Sequence, residues 1–291
     1  MNIFNFFFNK NRKFDEAYEK ARSEAEILLE KYDFIEDDNI VEINPVKPKE
    51  DVPIFVSPGW GVTPKSQKEA LEAIVGEGRK VLTVSFSREK KIKESGIDIP
   101  VVELQKALSI IEALNKKGIN KVDAIGHSEG AIVLAIAALY FPEKIRNIVL
   151  ISPAGTVEND SPSELVKRFV VNEGIKEFSK NRNSKKDSLF EYLSEIFKYG
   201  IKNPGLSYEE ILACANANIF ELTKQLKRKG IKIGFICGSD DEVFPLREVN
   251  KRVNKENFDY FISTEGDHGS FIFNKEHVLS AINLLNNMKN R

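Results

Sequence analysis

A chain of 291 residues with 43 Lys and Arg against 44 Asp and Glu carries a formal charge of −1, with cations and acids interspersed. That balance excludes the one-signed face a nucleic-acid partner needs, and 42% hydrophobic with 30% charged residues excludes a disordered or fibrous chain. The length admits one large α/β domain or a core with an inserted lobe. Two cysteines, Cys214 and Cys237, with no C-x-x-C pair predict a reducing compartment, the cytoplasm, and neither a structural disulfide nor a zinc site.

Residues 1–10 hold Phe4, Phe6, Phe7 and Phe8, but the run is short, broken by Asn and followed rather than preceded by charge. It does not read as a signal peptide, and no later run is long enough to span a bilayer. Contact with a membrane interface or a partner is one use for it; the plainer expectation is a segment tucked on the core or frayed. Residues 14–32 follow with a helical stripe of Phe14, Tyr18, Ala21, Ala25, Leu28 and Leu29. Residues 40–43 alternate as a strand does, and Pro45 and Pro48 end it.

From residue 52 the chain repeats strand, loop, helix. Strands are predicted at 52–56, 80–86, 121–125, 146–151, 231–237 and 258–262. Helices are expected after Pro64, with Leu71, Ile74 and Val75 inward, at 101–117 (amphipathic), from Ser128 to near Pro142, from about Leu246, and at 275–288. Short connections in that order imply a mostly parallel sheet with helices on both faces. The rhythm breaks at 156–229, a charged helical stretch with apolar stripes at Leu165, Phe169 and Val170, then Leu189, Tyr192, Leu193, Ile196 and Phe197. It reads as a lobe inserted between two strands.

The chemistry is announced at Gly126-His127-Ser128-Glu129-Gly130, a G-x-S-x-G with an apolar strand before it and a long apolar helical run after it. So abrupt a turn strains the serine backbone and leaves no room for side chains at Gly126 and Gly130. The hydroxyl is lifted to the carboxyl end of the sheet, beside a helix N-terminus that favours developing negative charge. An ordinary helix N-cap is the competing role for Ser128. In a parallel sheet, reactive groups gather past the carboxyl ends of strands. There the chain offers Pro58-Gly59-Trp60-Gly61, then Gly238-Ser239-Asp240-Asp241-Glu242, then Gly266-Asp267-His268-Gly269. A serine needs a base to take its proton, histidine serves near neutral pH, and an acid fixes the imidazole tautomer. Of the three histidines, His127 lies inside the turn and His277 within the last helix, where it is a surface or packing residue. His268 remains as the base. Asp240, Asp241 and Glu242 are all open as the acid.

With these motifs the chain from about residue 52 to 288 resembles the α/β-hydrolase family, its serine hydrolases of esterase and lipase type. The resemblance implies an α/β-hydrolase fold divided into an N-terminal extension (1–50), a core (51–155 and 230–291) and a helical cap (156–229). It also selects Asp241, three residues after Gly238 and four before Pro245, with Asp240 as the fallback. It implies an oxyanion hole from the backbone N–H groups of Trp60 and Glu129, although Pro58 stands where the family usually has histidine. Each such donor contributes about 2.7–4 kcal/mol to the barrier. Trp60 and Phe244 are expected to line the substrate pocket, with Phe220 as a further candidate; the Glu129 side chain has no assigned role. The implied activity is cleavage of a carboxylic ester of a small acyl substrate, with no cofactor and no metal. A thioesterase, amidase, acyltransferase or carbon–carbon bond hydrolase would use the same triad, and a non-catalytic binding protein on this fold is the alternative of a different kind.

Overall fold

The computed structural model describes residues 11–173, 195–254, 256–273 and 275–289. Its strands are β1 (Ile40–Ile43), β2 (Glu50–Ser57), β3 (Arg79–Val84), β4 (Val122–His127), β5 (Ile145–Ile151), β6 (Lys232–Gly238) and β7 (Tyr260–Thr264). They form one seven-stranded sheet in the order β1-β3-β2-β4-β5-β6-β7. The β1 strand runs antiparallel to β3, and every other pairing is parallel.

The apolar runs that flagged these strands send alternate residues to opposite faces, as a pleated chain must. Phe55, Ile148, Leu150 and Phe235 enter one layer of the core, and Ile54, Val56, Val149, Ile151 and Ile236 enter the other. The first layer is closed by α1 (Asn11–Lys31), α3 (Val101–Lys116), α4 (Glu129–Tyr140) and the helix Ile219–Arg228; the second by α2 (Lys68–Gly76) and the last helix, Lys275–Lys289. Burial on both faces explains why the middle of the parallel strands, such as 54–56 and 148–151, is continuously apolar. Among the described residues no helix is long and apolar enough to cross a membrane.

Four local expectations are revised. The α2 helix starts at Lys68, because Thr63 and Ser66 exchange side-chain-to-backbone hydrogen bonds (3.0 and 3.3 Å) in a turn that takes up Pro64. The α3 helix is not amphipathic in place: residues 102 to 114 are all buried, including Glu103, Lys106 and Glu112. The β7 strand starts at Tyr260 rather than 258, since Phe258 turns inward onto the ring of Phe235, 4.7 Å between centroids. Within the 156–229 insertion, the segment Ile219–Arg228 packs on α4 as a regular layer helix. The rest of the insertion comprises Pro162–Lys167, a π-helical turn over Arg168–Glu173, a helical stretch at 195–202 and the helix Pro204–Asn216. The stripe residues Leu189, Tyr192 and Leu193, like the phenylalanines of residues 1–10, lie outside the described residues.

At the amino ends of the strands the buried Asp123 of β4 accepts hydrogen bonds from Arg79 (2.8 Å), Arg146 (2.8 and 2.6 Å) and Asn147 (3.3 Å), joining β3, β4 and β5. That pairing offsets the cost of burying the carboxylate and leaves the opposite edge for chemistry.

The α1 helix belongs to this core. Tyr18 is 3% exposed, its hydroxyl donates to the Leu139 carbonyl at 3.0 Å, and its ring stacks on Tyr140 at 6.3 Å. Tyr18→Ala is therefore expected to lower the unfolding free energy by about 3 kcal/mol, read from urea denaturation; a change within experimental error would show that α1 contributes nothing to the core.

Candidate active site

The β4 strand ends at His127 and α4 begins at Glu129, so Ser128 alone turns the chain, at φ 55° and ψ −124°. A left-handed φ at a residue with a Cβ is strained and survives only where its surroundings hold it. Here the Ser128 N–H donates to the Ile151 carbonyl and the Ser128 carbonyl accepts from the Ala154 N–H, both at 3.1 Å, tying the turn to the end of β5. The glycines are required by contact. A Cβ on Gly126 would lie 2.7 Å from the Ala131 Cα, and one on Gly130 would lie 2.3 Å from the Pro58 carbonyl oxygen. Gly59 also passes close, its would-be Cβ 3.2 Å from that of Ser128, so the Pro58–Gly61 loop lies directly against the serine.

Ser128, His268 and Asp241, separated along the chain, meet at this edge. The His268 Nε2 is 3.0 Å from the Ser128 hydroxyl, and its Nδ1 is 3.0 Å from the Asp241 Oδ2. The other Asp241 oxygen accepts the backbone N–H groups of Val243 (2.9 Å) and Phe244 (2.8 Å). The carboxylate is thereby aimed at the imidazole with its remaining lone pairs satisfied. Asp241 and His268 are 3% and 2% exposed, whereas Asp240 is exposed to solvent. Gly238 permits the approach of the histidine loop: a Cβ there would sit 2.4 Å from the Gly266 carbonyl oxygen.

Because α4 starts at Glu129, the N–H of that residue is one of the unspent donors of a helix's first turn. The Trp60 N–H belongs to the loop that lies on Ser128. Around the imidazole stand Phe244 (5.3 Å between centroids), Phe169 (6.2 Å) and His127 (5.0 Å), and Trp60 meets Phe169 edge-on at 5.9 Å. Trp60 and Phe244 are thus beside the cluster, and Phe169 of the insertion joins them. Phe220 is elsewhere, packed on Phe258 in the core with Arg252 over its ring.

A family model described as alpha/beta hydrolase fold matches residues 85–173, the stretch that includes the serine turn. This is an alpha/beta hydrolase fold. A search of curated proteins found no match. Among solved structures, a carboxylesterase of Nitrososphaera gargenis is 17% identical with a TM-score of 0.63, covering 89% of this chain and 99% of its own. A bromoperoxidase from Bacillus anthracis is 15% identical (TM-score 0.62; 85% and 94% covered). A meta-cleavage product hydrolase from Pseudomonas fluorescens is 16% identical (TM-score 0.56; 86% and 94% covered). At these identities the likeness is one of fold.

Motif reading of this hydrolase fold misses a second polar cluster behind the serine. The Glu129 carboxylate is 2.6 Å from the Lys106 Nζ, which is also 2.7 Å from Glu210 of the insertion. Glu210 accepts the Trp60 indole N–H at 2.8 Å and the Tyr199 hydroxyl at 2.5 Å. One signal was available: a glutamate opening a helix that is otherwise wholly apolar needs a buried cation, and Lys106 sits inside the apolar run of α3. Burial opposes the charge on Lys106, but Glu129, Glu210 and Glu103 outweigh it and raise its pKa well above that of an ordinary lysine. Glu103 is raised well above the usual carboxylate range, by burial and then by the charge of Glu129. It is the member best suited to remain a neutral acid, which limits the buried excess of negative charge.

The ligand atoms of Glu103, Glu129 and Cys214 lie within 4.8 Å of one another. The lysine ammonium already holds the Glu129 carboxylate, and burial, then Glu129, raises the Cys214 thiol pKa well above its normal value.

His127 and His277 both support the imidazole loop. His277 is buried, with Nε2 3.0 Å from the Glu265 carbonyl and 2.7 Å from the Thr264 hydroxyl. The His127 Nε2–H donates to the His268 carbonyl at 2.9 Å, and burial, then the neighbouring His268, lowers its pKa to about 3. An unfolded histidine titrates near pH 6.5, so between about pH 6.5 and 3 the unfolded chain binds the extra proton. The contribution of neutral His127 is complete above about pH 6.5 and declines as the pH falls. His127→Gln, which keeps an N–H donor, should flatten the dependence of unfolding free energy on pH between 6 and 4 by up to about 1.4 kcal/mol per pH unit. Denaturation curves at several pH values measure this, and equal slopes for the two proteins would contradict it.

Proposed function

We propose that this protein is a serine hydrolase that cleaves a carboxylic ester through an acyl-enzyme. The observation that carries the reading is the continuous hydrogen-bonded chain from the Ser128 hydroxyl through His268 to Asp241. In the proposed reaction the Ser128 oxygen attacks the ester carbonyl while the His268 Nε2 takes its proton. Asp241 holds the imidazole in the tautomer with hydrogen on Nδ1 and stabilises the imidazolium that forms. The carbonyl oxygen becomes an oxyanion between the Trp60 and Glu129 N–H groups, where fixed dipoles act without reorganisation. His268 returns its proton to the departing alcohol, and a water activated by the same imidazole then releases the acid.

The rings of Phe169, Phe244 and Trp60 suit an uncharged, apolar acyl substrate. Residues 156–218 serve as the cap in this proposal, with 51–155 and 230–291, joined by the core-packed helix Ile219–Arg228, as the catalytic core and 1–50 as its extension. Two buried free thiols, Cys214 and Cys237, support a reducing, cytoplasmic setting. Thioester, amide and carbon–carbon bond cleavage, or acyl transfer, would use the same three residues.

A fluorophosphonate probe and p-nitrophenyl esters of graded acyl length test the reading. Labelling is expected in the native protein and lost in Ser128→Ala. His268→Ala should lower kcat by about 10⁶-fold and Asp241→Asn by about 10⁴-fold, with Asp240→Asn within about twofold of native, as an exposed side chain outside the cluster should be. Labelling that persists in Ser128→Ala would end the enzyme claim, and loss of turnover in Asp240→Asn alone would transfer the acid's role to that residue.

A further inference from the structure

The two residues assigned to the oxyanion hole lie far apart in sequence. Both nevertheless end on the same buried ion pair. The Glu129 carboxylate meets the Lys106 Nζ at 2.6 Å; the Trp60 indole N–H meets Glu210 at 2.8 Å; and Lys106 meets Glu210 at 2.7 Å. Lys106 belongs to α3 of the core, whereas Glu210 belongs to the helix Pro204–Asn216 of the insertion. We propose that the Lys106–Glu210 pair is a positioning device that makes the oxyanion hole depend on correct seating of the helical insertion. This proposal rests on the serine-hydrolase reading above and adds to it the residues that set the hole's geometry.

Three further features support it. First, the Trp60 loop is held by the insertion at more than one point. Its indole packs edge-on against Tyr199 at 5.8 Å, and Tyr199 donates to the same Glu210. The Thr63 hydroxyl donates to Glu195 at 3.0 Å, and a Cβ on Gly61 would already lie 3.2 Å from the Ile196 side chain. Second, the side chains of Glu210 and Lys106 are 0% and 7% exposed, so solvent does little to weaken the pair or to substitute for it. Third, a buried ion pair seldom stabilises a fold more than apolar residues of the same volume would; what it adds is directionality. In a helix otherwise made of Gly, Ala, Ile, Val, Leu and Tyr, Glu129 is a poor choice for stability and a good one for pinning the helix's first turn.

In this arrangement Glu210 is a hub. It draws the Trp60 ring, and with it the Trp60 backbone, toward the insertion, while Lys106 ties that hub to the start of α4. When the insertion is out of place, Trp60 loses its indole acceptor, and its N–H loses its fixed position relative to the N–H of Glu129. Ser128, His268 and Asp241 are held by β4, β5 and their own loops and keep their contacts.

Trp60 is the only tryptophan in the chain, so its emission reports on the hub directly. The experiment compares native protein with Glu210→Gln, Glu210→Ala and Lys106→Met, using p-nitrophenyl ester turnover, inhibition by a trifluoromethyl ketone, and Trp60 fluorescence. The ketone probes the hole: the Ser128 oxygen adds to its carbonyl carbon, the serine proton passes to His268, and the carbonyl electron pair becomes the bound oxyanion. For Glu210→Ala, kcat should fall by about 10²-fold with KM within about threefold, as expected for a misplaced reacting geometry. The ketone Ki should rise in parallel, and Trp60 emission should shift to the red. Glu210→Gln, which still accepts the indole N–H, should lose less, and Lys106→Met should fall between the two. Circular dichroism establishes folding. Should the alanine or methionine variant fail to fold, Glu210→Gln and Trp60→Phe decide, because the double variant should then lose no more than the larger single loss. Folded variants with kcat and Ki within twofold of native would overturn the proposal, as would a fall in kcat with Trp60 emission unchanged. A native protein that is neither labelled by fluorophosphonate nor active defeats the serine-hydrolase reading first, and that outcome is visible before any variant is made.

Discussion

Between the last residue of β4 and the first of α4 there is space for one amino acid, and the placement of the whole site follows from that confinement. Ser128 adopts a left-handed φ of 55° because strand and helix must meet there without a loop. Such strain costs on the order of 1–3 kcal/mol. It is sustained by hydrogen bonds to Ile151 and Ala154 and by the absence of side chains at Gly126 and Gly130. In return the hydroxyl stands clear of the sheet at a point that neither strand nor helix can move independently. Other reactive groups can then be brought to it on loops whose sequences are free to vary.

Charged groups are buried at both ends of the strands. At the amino ends, Asp123 is enclosed by Arg79 and Arg146. At the carboxyl ends, Asp241 is satisfied by two backbone N–H groups and one imidazole. The contrast suits their roles. A guanidinium pair holds strands together, whereas a carboxylate that faces an imidazole must respond when that ring gains a proton. The Lys106 cluster is a third case: one lysine faces Glu129 and Glu210, and burial beside Glu129 pushes the Glu103 carboxyl toward its neutral form.

The order of strands and helices, the parallel sheet covered on both sides and the helical insertion were all legible in the chain. They rest on local periodicity and on turn residues, which are properties of consecutive amino acids. Ser128 was legible for the same reason, since its two glycines, its strand and its helix are contiguous. His268 followed from there being only three histidines, two of which had other places. The choice among Asp240, Asp241 and Glu242 was not settled by the residues themselves, and a family spacing singled out Asp241. In the structure Asp241 is buried beside the imidazole and Asp240 is exposed, because only one of two neighbouring side chains on a tight turn can face inward.

What consecutive residues could not convey was which distant side chains share a buried space. Lys106 looks like one more lysine on an amphipathic helix, and Glu210 like one more acid in a charged insertion. Phe220 looks as able to line a pocket as Phe169. Their roles depend on how α3, the insertion and the Trp60 loop pack together, and packing is a relation among elements that no single element encodes. The sequence by itself determined where the chain turns, which face of each strand is apolar and where a nucleophile could stand. Only the tertiary structure decided which charges lose their water and therefore need one another, because desolvation depends on what the rest of the molecule places around them.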